Sequence, residues 1–478
     1  MSMHRPIESF NIENPPNKYN TENIENDNEN EIEEDNTNDN IVFQEDSLEL
    51  GKRNRLRNHK AYCGIKGDSV LSGILNMTVS AVGGGCFSFP YMMYEGGIIV
   101  ILLVFLFVTA CIFYSIDLLR SFVVDTKYFS FALMTEAILG PKWLKVYASS
   151  SFIIYVGMII NYLISIYVYI QGMIDFEGIL SNLIYNIISI IIQIVICLYI
   201  SKMDNMMHFL SIASITCLFL IISSIIIASI IVNPNIKNKF SYENLFFPKI
   251  KTFPNKILKV ASYLMEYVFG YSYHSTFPTV IGYLHRVNNK NTKKIHFISF
   301  FIVFLTYILI TFFGYILDEK VPNQILKEND NLFDNLWGIL RKPLKIVLCI
   351  YLLTLIPFRF IVIRDNYITL MGNRNLTFWN ELVIIVIFVF ICNILASVIG
   401  YYDKDVEGWD IRTLIQAFGG MFGVIISFCL PVINYISVNG KRKIKSIIGY
   451  IITGFFFIVG LFSLLYTVYK IIMGKNRQ

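Results

Sequence analysis

The sequence predicts an all-α, polytopic membrane protein of about 11 transmembrane helices, with the first and sixth discontinuous. Three observations carry that expectation. Of 478 residues, 55% are hydrophobic and only 16% charged, with a mean hydropathy of +0.55; a soluble globular chain carries roughly 25% charged residues. The apolar residues gather into runs of about 20, the length a helix needs to cross a bilayer core. Two of those runs, five apart in order, are interrupted by glycine, proline and polar side chains. This composition excludes a large soluble enzyme, a disordered chain and a secreted disulfide scaffold.

Residues 1–65 read as a disordered, acidic cytosolic tail ending in a basic cluster. The first 50 residues hold 14 acids against Arg5 and Lys18, a net of −12, which leaves 38 bases and 21 acids, or +17, in the rest. The stretch TENIENDNENEIEEDNTNDN lacks the apolar periodicity that would bury a core. A regulatory tail and a functionless product of AT-rich coding both remain open. No basic n-region precedes a short apolar h-region, so no cleavable signal peptide is expected. Lys52, Arg53, Arg55, Arg57, Lys60 and Lys66 stand directly before the first apolar run. Bases placed between apolar runs point to membrane topology rather than to nucleic acid.

Residues 66–475 form the transmembrane domain. Its spans are expected near 69–93, 97–119, 146–172, 180–200, 207–232, 257–284, 296–317, 344–370, 379–400, 412–437 and 446–471. With a cytosolic N-terminus, the inner segments collect Arg120, Lys127, Lys142, Lys145, Lys202, Arg286, Lys290, Lys293, Lys294, Arg364, Arg374 and the cluster Lys441–Lys445. Outer loops hold acids such as Asp175, Asp318, Asp403 and Asp410, although the loop carrying Lys237, Lys239, Lys249, Lys251 and Lys256 conflicts. The short-loop bias favours the cytosolic N-terminus. Seven of 8 cysteines fall within spans and none in an outer loop. No disulfide or metal site is therefore expected. Motifs for a zinc hydrolase, a serine hydrolase or a Walker nucleotide loop are missing, so the chain is not read as an enzyme or an ATP-driven pump.

The first span contains Val82-Gly83-Gly84-Gly85-Cys86-Phe87-Ser88-Phe89-Pro90-Tyr91. Consecutive glycines and a proline make a poor continuous helix. Unwinding there frees backbone groups, which a membrane tolerates only inside protein or along a cavity. Freed N–H groups suit a carboxylate, and freed carbonyls suit a cation or an ammonium group. The alternative is a helix-packing face of small residues. The sixth span reads Glu266-Tyr267-Val268-Phe269-Gly270-Tyr271-Ser272-Tyr273-His274-Ser275-Thr276-Phe277-Pro278. Two interrupted spans five apart point to a ligand site between inverted repeats.

At these residues the chain resembles the amino acid/auxin permease family. The opening motif Gly83–Tyr91 is similar to that family's G-x-G-[IL]-[LF]-x-x-P-[YF] pattern. Tyr114-Ser115-Ile116-Asp117-Leu118-Leu119, Phe269–His274, and Pro357 followed by Arg364 resemble three further family motifs. The resemblance covers roughly residues 66–475. It implies a five-plus-five inverted repeat of the APC-superfamily kind with an eleventh helix. It also implies a symporter that moves amino acids by alternating access, through a site between spans one, six, three and eight. Sodium-coupled members carry an Asn at the position of Val79 and a Thr at the position of Leu355, with Thr354 here one residue away. Proton coupling or exchange is therefore expected rather than sodium coupling, with no cofactor beyond the proton gradient.

The expected substrate-binding residues are Val82, Gly83, Gly84 and Gly85 for the carboxylate, with Phe269, Gly270, Tyr271, Ser272, Tyr273 and Asn161 for the amino group and side chain. Ionisable groups within a bilayer cost about 3 kcal/mol or more. His274, Glu266 and Arg359 are accordingly expected coupling and gating residues, and the resemblance adds Thr354 to them. For His274 the alternative is a neutral ring locking the break. For Glu266 it is an interfacial acid, and for Arg359 a snorkelling side chain or a pair with Glu266. Asp117 and Arg120 read as an interfacial ion pair. The reading is a monomeric transporter of neutral, including aromatic, amino acids, with lipid and substrate as partners and no nucleic acid. It would lie in the plasma membrane or an acidic vacuole-like organelle. The rival reading is a nutrient sensor that signals through its tail.

Overall fold

The computed structural model describes residues 61–62, 65–66, 69–171, 187–195, 197, 204–232, 245–246, 253–271, 273–284, 286–317, 336–371, 378–405, 420–439 and 444–475. All belong to one compact unit, Phe43–Gln478. Residues 1–60, Ser272 and the loop carrying Lys237, Lys239, Lys249 and Lys251 lie outside the described residues.

A two-residue antiparallel pair, β1 (Ala61–Tyr62) and β2 (Ile65–Lys66), precedes the first span. Helices follow in the order α1 (Val70–Ala81), α2 (Phe89–Gly96), α3 (Ile98–Thr126), α4 (Phe131–Leu139), α5 (Pro141–Gln171), α6 (Asp204–Val232), α7 (Phe253–Gly270), α8 (Thr276–Gly282), α9 (Asn289–Leu317), α10 (Leu336–Leu370), α11 (Phe378–Asp405), α12 (Leu430–Asn439) and α13 (Ile444–Lys475). Residues 187–195 are helical as well.

Among the described residues, seven helices are long and apolar enough to cross a membrane. An eighth span is the bent pair of α1 with Gly84–Gly96, angled by 50°. The sixth expected span is likewise two pieces, α7 and α8, separated at Tyr271–Ser275. The helix α4, between the second and third spans, was not expected. Its nine residues are too short to register as a span, but Ser130 caps it by accepting from Leu133 N.

Burial separates the helices by role. The apolar windows of α5 and α10 are 78% and 72% buried, whereas those of α6 and α13 are 33% and 22% buried. Side chains such as Leu103, Phe219, Ile451 and Leu465 are more than 60% exposed. A contiguous apolar surface of this kind suits lipid and not water. Of the pieces of the two broken spans, α1 packs against α6, α9 and α10, α2 against α9, and α7 against α3 and α13, while α5 borders the Gly84–Ser88 turn. This is an all-helical polytopic membrane fold with discontinuous first and sixth spans.

Polar side chains stitch α6 to this centre. Ser72 meets His208 Nδ1 at 3.0 Å, Ser211 Oγ donates to Asn76 Oδ1, and Ser214 Oγ lies 2.6 Å from Thr354 Oγ1. His208, Ser211 and Ser214 recur at three-residue spacing, which places them along one face of α6.

Candidate functional site

α1 stops at Ala81 because the chain turns extended at Val82 (φ −77°, ψ 103°) and Gly83 (φ −104°, ψ 172°) before re-entering a short 3-10 helix, Gly84–Ser88. These angles are open to any residue, so backbone freedom does not explain the glycine run. Close approach does. A Cβ on Gly83 would sit 2.8 Å from Tyr162 Oη, and one on Gly84 2.9 Å from Leu352 Cδ2 and 3.0 Å from the Tyr162 ring. Beside Gly85 nothing lies within 4 Å, so space is left open there. Cys86 in this segment is fully buried and, like the other described cysteines, free.

The extended stretch removes the Ala81 and Val82 carbonyls from the helical ladder, and a buried carbonyl needs a donor. Two tyrosines supply it. Tyr307 Oη of α9 donates to Ala81 O at 2.8 Å, and Tyr351 Oη of α10 donates to Val82 O at 2.8 Å.

The second break mirrors the first. α7 ends at Gly270, Tyr271 N still bonds Tyr267 O at 3.0 Å, and Tyr273 N then folds back onto Tyr271 O at 2.8 Å. The chain resumes as α8 once Thr276 N and Thr276 Oγ1 both donate to Tyr273 O. Gly270 is fixed by packing, since a Cβ there would meet Phe89 Cζ at 2.9 Å. Its carbonyl accepts from Tyr307 Oη at 2.7 Å. One hydroxyl on α9 thus touches both breaks. It carries a single proton, so it serves Ala81 O and Gly270 O in turn or shares the proton between them.

Arg359 enters this centre from α10. It is 1% exposed and so does not snorkel. Its Nη2 lies 3.5 Å from Tyr162 Oη and its Cζ sits 5.7 Å above the Tyr155 ring, within cation–π range. Nη2 would be 3.6 Å from a Cβ on Gly83, so the guanidinium borders the first break. The pairing with Glu266 does not form; Nε and Nη1 have no hydrogen-bond partner.

The other expected residues fall into three groups. Val82 and Gly83–Gly85 form the first break; Phe269, Gly270, Tyr271 and Tyr273 flank the second. Tyr271 is committed to packing: its hydroxyl lies 3.2 Å from Thr109 Oγ1 and its ring stacks on Phe300. Asn161 is 4% exposed with Oδ1 unpartnered, on the same helix as Tyr162. His274 is fully buried with both ring nitrogens unpartnered. Within electrostatic range of it stands His296 of α9, whose ring stacks on Phe113 at 4.6 Å. Thr354 is turned away from the breaks, bonding Ser214 and the Tyr351 carbonyl. Glu266 is 1% exposed, four residues before Gly270.

Tyr307, Tyr351 and His296 were not foreseen. In a chain with 29 tyrosines and 39 phenylalanines, no local pattern marks the two that bond the break carbonyls. Asp117 and Arg120 form the expected ion pair at 2.8 Å, and Arg120 Nη1 also donates to Asn289 of α9 at 2.5 Å.

Solved structures of two transporters resemble this arrangement. One is the substrate-bound outward-open state of a Na+-coupled sialic acid symporter, 12% identical, with a TM-score of 0.53 over 90% of this chain and 95% of that one. The other is the manganese transporter of Eremococcus coleocola in complex with an aromatic bis-isothiourea substituted compound. It is 9% identical, with a TM-score of 0.54 over 85% of this chain and 91% of that one. At such identities the likeness concerns the fold alone. Among curated protein sequences none matches. The family described as transmembrane amino acid transporter protein matches residues 66–473, through both breaks and nearly everything outside the acidic tail, and the chain belongs to that family.

Proposed function

We propose that this protein is a secondary-active carrier that moves neutral amino acids, aromatic ones included, by alternating access, and that protons rather than sodium drive it. The observation that carries the reading is the pair of facing breaks whose carbonyls share the Tyr307 hydroxyl. A ligand bound between them touches both repeats and can bias their relative position. The open space beside Gly85 admits a substrate close to the backbone. The aromatic residues Phe87 and Tyr351, in edge contact at the first break, favour an apolar or aromatic side chain.

Proton coupling is supported by two features. Val79 and Leu355 offer no oxygen where sodium-coupled relatives place one. His274 is a buried imidazole whose two ring nitrogens have no hydrogen-bond partner, so the ring is placed to take up or pass on a proton. The chain is read as a monomer with a cytosolic N-terminus, in the plasma membrane or an acidic organelle.

Counterflow in proteoliposomes with a panel of labelled amino acids, run with and without a proton gradient, tests this. Uptake of neutral amino acids that rises with the gradient is expected. His274→Asn is expected to keep exchange but lose the response to the gradient. A requirement for sodium, or ligand binding without flux, would overturn the reading.

A further inference from the structure

Arginine keeps its charge in proteins and presents five N–H donors in a planar fork matched to carboxylate oxygens. Arg359 holds that fork in the protein centre, 1% exposed. Its surroundings are neutral: Tyr162 Oη at 3.5 Å and the Tyr155 ring at 5.7 Å. Among the described residues, Arg120, Lys259 and Lys445 stand in ion pairs, and none of these pairs a carboxylate with Arg359. Nε and Nη1 remain without partners. A buried charge left so is strongly unfavourable unless an anion completes it. The guanidinium also borders the first break. Nη2 lies 3.6 Å from where a Cβ of Gly83 would stand, and beside Gly85, two residues on, the space is open.

We propose that Arg359 is the group that receives the substrate's carboxylate, so that the carrier selects ligands by a free carboxylate and rejects the amide or amine of the same side chain. The inference rests on the transport reading only for its class of ligand. The carboxylate supplies the anion the site lacks, and the fork fixes it bidentately against the first break. The carboxylate can come from the α-carbon of a neutral amino acid or from the side chain of an acidic one. A set of ligands separates the two sources.

The test is thermal unfolding of the purified full chain with each proteinogenic L-amino acid, with phenylalaninamide and leucinamide, and with sodium chloride at matched ionic strength. Stabilisation by L-phenylalanine or L-leucine and not by their amides is expected, which assigns the α-carboxylate. Stabilisation by L-glutamate or L-aspartate alone would assign the side-chain carboxylate and still uphold the proposal. Arg359→Gln is expected to weaken the favoured ligand about 10- to 100-fold, the loss of a charged hydrogen-bonded pair, and to erase the acid-over-amide preference. Arg359→Lys, which keeps charge without the fork, is expected to recover part of it. Equal stabilisation by acid and amide, by chloride alone, or by no amino acid overturns the proposal. So does a folded Arg359→Gln protein that keeps the wild-type preference. The comparison of acid with amide on the unaltered chain decides the matter even if Arg359→Gln does not fold. Binding without counterflow in proteoliposomes would instead sink the transport reading and leave the Arg359 assignment standing.

Discussion

Tyr307 is the residue on which the two halves of the fold converge. Its hydroxyl has one proton for Ala81 O and Gly270 O, at 2.8 and 2.7 Å. Removing it takes the one shared proton from two buried carbonyls at once, and an unsatisfied buried carbonyl costs about 1–3 kcal/mol. Tyr307→Phe is therefore expected to lower the unfolding temperature more than Tyr351→Phe, which frees Val82 O alone; equal effects would count against a shared role. The glycines make a second comparison at this scale. Gly84→Ala drives a methyl to 2.9 Å from Leu352 and 3.0 Å from Tyr162, whereas Gly85→Ala meets nothing within 4 Å. The first is expected to cost about 1–3 kcal/mol through overpacking. The second should keep the fold yet raise the KM for uptake, because its methyl occupies the open space. Parallel thermal unfolding and uptake on the two variants check this.

At the scale of elements, the helices were legible because lipid imposes a length and a composition on every span. The expected run at 207–232 is found as Asp204–Val232, and that at 296–317 as Asn289–Leu317. The breaks at Gly83 and Gly270 were legible as well, since glycine and proline interrupt an otherwise apolar run. What holds the breaks together was not. Tyr307 and Tyr351 reach the Ala81 and Val82 carbonyls from 226 and 269 residues away, and Tyr307 reaches Gly270 from 37. Such contacts depend on packing, and no single-sequence pattern encodes it. The polar ladder on α6 was hidden for the same reason, because serines are ordinary in a span. Asn76→Ala removes the partner of buried Ser211 and is expected to destabilise by about 1–2 kcal/mol. Ser214→Ala should cost less, since Thr354 keeps the Tyr351 carbonyl; thermal unfolding of both variants measures the difference.

At the scale of the whole molecule, two ion-pair clusters among the described residues tie different pairs of elements. Glu95 on α2 binds Lys259 on α7 at 3.0 Å, with Tyr91 and Tyr263 also on the carboxylate. That cluster joins the short pieces of the first and sixth spans. Asp117, Arg120 and Asn289 join α3 to α9, and Lys445 at the start of α13 stands 3.8 Å from Asp117. If the carrier alternates, opening at the first cluster separates Glu95 from Lys259. Lys259→Met is then expected to shift the population towards that opened form, because only the closed form loses an interaction. The expected readout is faster modification by a water-soluble thiol reagent of a cysteine placed at Tyr91. An unchanged rate would remove this cluster from the opening movement.

Cys86 has a practical consequence. It sits in the 3-10 turn beside the open space at Gly85 and is fully buried. A thiol there is a built-in reporter, silent while the segment is sealed and alkylated when water carries a thiol reagent to it. Its rate of labelling, read at Cys86 by peptide mass mapping because the other described cysteines are free as well, would time the exposure of this turn with and without amino acid in the unmutated protein.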